Sequence, residues 1–123
     1  MKNQAYRMSM LFDFYGDLLT ERQREFYDLY YNEDLSLAEI AENYGISRQG
    51  VRDVIVRAEA TMSEIEEKTH IIRRFHQSKA AIAAIDDAAD RLLEAVDRRS
   101  YSDAMLDRLA REIKENTAKL SQE

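Results

Sequence analysis

The chain contains no cysteine, no proline and no tryptophan, and only three glycines among its 123 residues. Without cysteine, disulfide staples and thiolate metal sites are excluded. With proline absent and glycine confined to Gly16, Gly45 and Gly50, the punctuation that separates short strands is missing, so the expected class is all-α. Long apolar runs are missing as well. No stretch reaches the roughly 18 apolar residues of a membrane-crossing helix, and the start, MKNQAYRMSM, lacks the apolar heart of a signal peptide. The expected location is the cytoplasm, with no membrane partner. Basic charge is also scarce: 18 Lys/Arg stand against 24 Asp/Glu, for a net charge of −6. That balance argues against a protein that coats nucleic acid without selection, because such binding scales with the phosphates neutralised.

What is present is a chain able to fold, with 45% apolar and 34% charged residues. Its most specific segment is Ser36 to Arg57, SLAEIAENYGISRQGVRDVIVR, which reads as a helix-turn-helix. Ser36 and Glu39 have the spacing of a capping box, in which each side chain satisfies a backbone donor at a helix start. Leu37, Ile40, Ala41 and Tyr44 then share one face of a short helix. Ala41 is small where two helices must come close. Gly45 supplies the left-handed backbone that stops the helix, and Ile46 turns back into the core. Ser47 caps the next helix, with Val51, Val54 and Ile55 on its buried side. Arg48, Gln49, Arg52, Asp53 and Val56 are left facing outwards. Arginine can grip guanine and glutamine adenine in the major groove. With Ser47 and Arg57 added, these residues form the candidate nucleic-acid surface: Ser47, Arg48, Gln49, Arg52, Asp53, Val56 and Arg57.

Ahead of this motif, a first helix is expected from Gln4 to Tyr15, with Met8, Leu11, Phe12 and Tyr15 at helical spacing. Thr20 and Gln23 predict a second capping box. The following helix carries Phe26, Leu29 and Tyr30 as its buried stripe, with Tyr27 and Tyr31 beside it, and ends at Asn32, Glu33 and Asp34. Nine of the eleven aromatic residues precede Gly45, which puts the main core in the N-terminal half. Their neighbours Glu25, Asp28, Glu33 and Asp34 are acidic, so the cluster reads as packing and not as a base-stacking platform.

After Arg57 the chain becomes aromatic-poor and alanine-rich. Thr61 and Glu64 can open a new helix, or the preceding helix can run on; the sequence leaves both open. Ile65, Ile72 and Phe75 continue an apolar face. Ile82, Ile85, Ala89, Leu92 and Val96 then recur at alternating spacings of three and four. Ser100 or Ser102 starts a last helix, in which Leu106, Leu109, Ile113, Asn116 and Leu120 repeat that pattern. Two such seams predict an antiparallel helix pair. Asn116 is either a buried amide that fixes register or oligomeric state, or a residue at a frayed end. The expected organisation is a helix-turn-helix domain over residues 1–60 and a C-terminal helical extension over 61–123, the latter a dimerisation element.

No catalytic constellation is visible. His70 and His76 lie six apart, on different helical faces, and no cysteine or carboxylate completes a metal site. Phosphate-binding loops, dinucleotide fingerprints and nucleophile elbows are absent. The chain reads as a non-enzyme with no cofactor and no metal.

Two resemblances sit on these residues. Leu19 to Ala58 resembles region 4 of bacterial sigma factors, a four-helix module that contacts promoter DNA, although the chain has no room for the other sigma regions. A closer likeness runs over roughly residues 6 to 75. RMSMLFDFYGDLLT at Arg7 to Thr20, LYYNEDLSLAEIAENYGISRQGV at Leu29 to Val51 and RAE at Arg57 to Glu59 are similar to the YlxM family of small bacterial helix-turn-helix proteins. It departs from the family pattern at Arg52 and Val54, where many relatives carry an aromatic and an amide. The genes of that family typically neighbour those of the signal recognition particle GTPase and its receptor. The resemblance therefore implies a regulatory role in that targeting pathway. Two functions remain open at this point. One is a DNA-binding regulator, with Arg48, Gln49 and Arg52 in the major groove. The other is an interaction module that grips a protein or RNA component of the particle. A homodimer through the C-terminal helices or their exposed faces is expected, because their apolar seams carry more surface than one short helix pair covers, and for DNA two copies add to the few phosphate contacts of one.

Overall fold

A computed structural model of the chain describes residues 5–121, and among these every regular element is helical. The elements are α1 (Ala5–Tyr15), a 3-10 turn (Gly16–Leu18), α2 (Glu21–Tyr31), α3 (Leu37–Tyr44), α4 (Arg48–Thr69), α5 (Ile71–Arg98) and α6 (Asp103–Ser121). The expected helix start at Gln4 lies outside the described residues. No helix among them is long and apolar enough to cross a membrane. Two compact units, Met1–Ile72 and Arg73–Glu123, divide the chain. The boundary expected after residue 60 instead falls inside α4, which runs on without a new cap at Thr61.

The first unit is held by local signals that act as the sequence predicts. Thr20 Oγ1 accepts from Gln23 N (3.2 Å) while Gln23 Oε1 accepts from Thr20 N (3.0 Å). Ser36 and Glu39 repeat the arrangement at α3. Each box satisfies two donors that the helix start would otherwise leave without partners. The buried residues come from all four helices, among them Leu11, Phe26, Ile40, Val51, Ile55 and Met62. Tyr27, expected beside the stripe of α2, is instead fully buried at 0% exposure, whereas Leu29 is only half covered. Two contacts explain the exchange. The Tyr27 ring stacks on Phe12 with centroids 5.1 Å apart, and its hydroxyl donates to the carbonyl of Met8 at 2.6 Å. A buried phenol is stable only when its polar tip is satisfied in this way.

α4 stops at a residue the sequence does not mark. His70 takes the left-handed conformation (φ 56°) with its N–H on Glu66 O at 2.8 Å. The Glu66 carboxylate accepts both the Ile72 N–H (2.9 Å) and the Tyr15 hydroxyl. One side chain therefore caps α5 and ties the break to α1.

In the second unit, Arg91 on α5 reaches both carboxylate oxygens of Glu112 on α6 at 2.8 and 3.0 Å. Residues 91, 95 and 98 of α5 share a cleft with Met105, and residues 74 to 81 share one with Asn116 and Lys119, so the pair is antiparallel. Ser102 is the cap of α6, accepting from Met105 N at 3.2 Å. The expected seam on α5 is corrected. Ala81, Ala88 and Ala95 are buried, whereas Ile82 and Val96 are 56% and 60% exposed. Leu109 and Asn116 are the buried residues of α6, and the Asn116 amide donates back to Glu112 O at 2.8 Å. Asn116 is therefore no frayed end.

Candidate nucleic-acid interface

The site is built on the first three turns of α4, and the local sequence fixes its start. Gly45 ends α3 at φ 66°, and the Ile46 N–H bonds Ala41 O at 3.1 Å. Ser47 Oγ then accepts from Gly50 N at 2.9 Å, fixing the first turn of α4. A Cβ at Gly50 would meet that oxygen at 3.1 Å, so the bare glycine leaves room for the cap. Val51 and Ile55 anchor the inner side of the helix at 0% exposure. This rigid seating matters because a surface that reads a partner needs side chains on an element that does not shift.

Ser47, Arg48, Gln49, Arg52, Asp53 and Arg57 are all exposed, as expected, while Val56 is half covered. At about 100° per residue, Arg48 and Arg52 lie on one flank of the helix and Arg57 lies roughly half a turn from Arg48. Gln49, Asp53 and Val56 run between the two flanks. The structure thus brings the residues onto one surface but separates the cations into two groups. None of Arg48, Arg52 and Arg57 forms an ion pair among the described residues. Arg91, Arg98 and Arg111, by contrast, each pair with a carboxylate one turn away. Surface arginines with no intramolecular partner retain their full hydrogen-bonding capacity for another molecule.

Two further features were not read from the sequence. Gln49 Nε2 donates to Asp53 Oδ1 at 2.9 Å, so the amide is held along the helix by its neighbour. The spacing of four was the available signal. Leu37, at the start of α3, joins Arg48, Gln49 and Arg52 around a shallow cleft of about 290 Å³, giving the polar flank an apolar floor. Leu37 is half covered, packed against the core on one side, although its helical position groups it with the buried Ile40 and Ala41. Among the described residues no cluster of side chains is arranged to hold a metal ion.

The chain matches the family described as "Putative helix-turn-helix protein, YlxM / p13 like" over residues 2–100. It is 42% identical to the UPF0122 protein of Geobacillus kaustophilus over 115 residues, covering 94% of this chain and 98% of the relative. The UPF0122 protein of Desulforamulus reducens is 45% identical over 87 residues, 71% of this chain and 74% of its own length. That of Halalkalibacterium halodurans is 44% identical over 91 residues, 74% and 84% of the two chains.

Proposed function

The chain belongs to the YlxM / p13-like helix-turn-helix family, and from that premise we propose that it is a cytoplasmic regulator that binds duplex DNA as a homodimer and serves signal-recognition-particle-dependent targeting. The observation that carries the DNA reading is the set of arginines on the two flanks of a capped, firmly seated helix, none of which forms an ion pair among the described residues. With the start of α4 in the major groove, Arg48 and Arg52 face one wall and the bases beside it. Arg57 faces the phosphates of the other wall. Gln49 reads adenine by exchanging its bond to Asp53 for the base edge, and Asp53 can accept from a cytosine amino group. Three cations are few for a polyanion, and each phosphate contact contributes a salt slope of only about −0.9. Two copies on two half-sites double that number, which supports the dimer.

A second reading has its own observation. The net charge is −6, and Asp53 stands in the middle of the exposed surface of α4. An acidic group there repels phosphate and suits a basic protein surface, so the same helix can dock on the targeting GTPase or its ribonucleoprotein. The two readings separate in one experiment. DNA binding is measured over a salt series for wild type, Arg52→Ala and Arg57→Ala, beside a pull-down with the GTPase. On the DNA reading, Arg52→Ala costs about 1–3 kcal/mol on a preferred site and flattens sequence discrimination. Arg57→Ala weakens all sequences alike and lowers the salt slope by about one. A retained pull-down with no selective DNA binding overturns the regulator and leaves the interaction module.

A further inference from the structure

The longest helix carries two apolar faces, and its partner within the second unit accounts for one. Ala81, Ala88 and Ala95, spaced by seven, are buried at 3%, 0% and 5% exposure. Phe75, Ile82, Leu93 and Val96 are 44%, 56%, 68% and 60% exposed. With Ala89 they form a second stripe, about 120° around α5 from the alanines at the helical period. Phe75, Ile82, Ala89 and Val96 also repeat every seven residues, so the stripe spans three heptads. That is the length at which a helix seam becomes able to hold another helix by itself. Isolated apolar side chains on a surface need no explanation, but a continuous stripe roughly 32 Å long does.

The charge along α5 indicates what covers it. Between Ile71 and Ile85 the charged residues are Arg73, Arg74 and Lys79, with no carboxylate. From Asp86 to Asp97 there are five carboxylates, Asp86, Asp87, Asp90, Glu94 and Asp97, against the single cation Arg91. A second α5 laid parallel would set like charge on like. Laid antiparallel, each basic end meets an acidic end, twice over, by symmetry. Lys79 flanks the stripe and lies over the Phe75 ring, 5.5 Å from its centroid, so its ammonium is already held at the edge of the apolar surface.

We propose that a second copy of this chain docks along the Phe75–Val96 stripe, antiparallel, as the contact behind the dimer of the preceding reading, on which this inference rests. A two-fold axis near the middle of the stripe sets Phe75 beside the partner's Leu93 and Val96, and Lys79 beside the partner's Asp90. The face of α5 used by α6 is untouched, so each copy keeps its own helix pair.

Light scattering of the full chain at micromolar concentration, with far-UV circular dichroism as a check on folding, tests this. Wild type is expected at twice the 14.4 kDa chain mass. Leu93→Glu with Val96→Glu, both at exposed positions, gives a monomer of unchanged helicity. Lys79→Glu raises the dissociation constant at least tenfold, and adding Asp90→Lys to the same chain restores it. Because the chain has no native cysteine, orientation is read from single replacements: Asp86→Cys, beside the stripe and near the axis, forms a disulfide dimer, and Val96→Cys, on the stripe near one end, does not. A double-glutamate chain that remains dimeric overturns this face and leaves the two-copy regulator standing. Efficient cross-linking at Val96→Cys overturns the antiparallel arrangement. A monomeric wild type overturns both the face and the dimer, whether or not DNA is bound, and a targeting component captured on the stripe by that monomer would name the other occupant.

Discussion

The two units of this chain solve the same problem with different materials. The first packs four short helices around large side chains; Phe26 and Tyr27 are fully buried, and Phe26 meets Tyr44 edge-on with centroids 4.8 Å apart. The second buries the smallest apolar residue at three successive heptad positions and leaves larger ones outside. Burial is worth about 25 cal/mol per Å² of apolar surface, so stability per residue should be higher in the first unit. The difference matters for function. A surface that reads a partner sits on the well-filled unit, where its side chains are held in place. The unit with apolar surface to spare is the one that can gain by association.

The sharpest way to break this comparison is to damage each unit in the manner its packing dictates. Phe26→Ala empties the centre of the first unit and is expected to cost about 3–5 kcal/mol. Ala88→Leu overfills the close approach in the second and is expected to cost about 1–3 kcal/mol. Six of the seven tyrosines precede residue 73, so near-UV dichroism follows the first unit while far-UV dichroism follows both. In urea, Phe26→Ala should lower the near-UV midpoint strongly. Ala88→Leu should shift part of the far-UV signal and leave the near-UV midpoint in place. Coincident transitions in both variants would show that the two units unfold as one.

The turn within the first unit gives a smaller effect. Gly45 sits at φ 66°, and a Cβ built there meets nothing within 4 Å. Any cost of a side chain is therefore backbone strain and not collision. Gly45→Val should destabilise by about 1–2 kcal/mol, and Gly45→Asn by much less, because asparagine tolerates the left-handed region. Equal losses for the two substitutions would point to a role for Gly45 other than its backbone angle.

The same turn shows what the sequence could and could not say. Three helix starts were legible because their caps are strictly local: Thr20 with Gln23, Ser36 with Glu39, and Ser47. The stop at Gly45 was legible because glycine is the default residue at positive φ. The chain makes comparable left-handed turns at Asp34, His70 and Arg99, none of them glycine. The turn at His70 is flanked by the Glu66 carboxylate, which accepts from the Ile72 N–H and from the hydroxyl of Tyr15, more than fifty residues away in sequence, and no pattern of spacing reveals such a lock. Spacing along the chain therefore marks neither the end of α4 at Thr69 nor the division between Ile72 and Arg73. The seam of α5 failed for a related reason. Periodicity finds every apolar stripe, but it does not say which stripe the neighbouring helix takes, and alanine is easily passed over as a seam residue. At the candidate site the helical period marks Arg48, Gln49, Arg52, Asp53 and Val56 as outward-facing; the first four are exposed and Val56 is half covered. The Gln49–Asp53 bond and the contribution of Leu37 depend on packing between two helices, and emerged only with the structure.

The smallest effect concerns pH, and it belongs to the first unit alone. Burial, followed by the charge of the Glu59 carboxylate, pushes the Tyr27 phenol well above its ordinary value of 10.0. Burial and the hydrogen bond that the Tyr31 hydroxyl donates to Glu59 do the same for Tyr31. A raised value in the folded chain means that the folded state holds the proton more tightly than the unfolded state. Below pH 10 both states carry it and the full contribution is present; above pH 10 the unfolded chain ionises first, and stability falls as the pH climbs towards the folded value. By pH 10.5 the loss should be a little under about 1 kcal/mol for each such tyrosine. Urea unfolding of wild type and Tyr31→Phe at pH 8, 9.5 and 10.5 isolates one of them. Tyr31→Phe, whatever its starting stability, should lose less between the first and last pH, because one ionising phenol has gone while lysine deprotonation is common to both chains. Equal pH slopes would mean that Tyr31 titrates alike in the folded and unfolded states, and that its tie from α2 to α4 does not hold in solution.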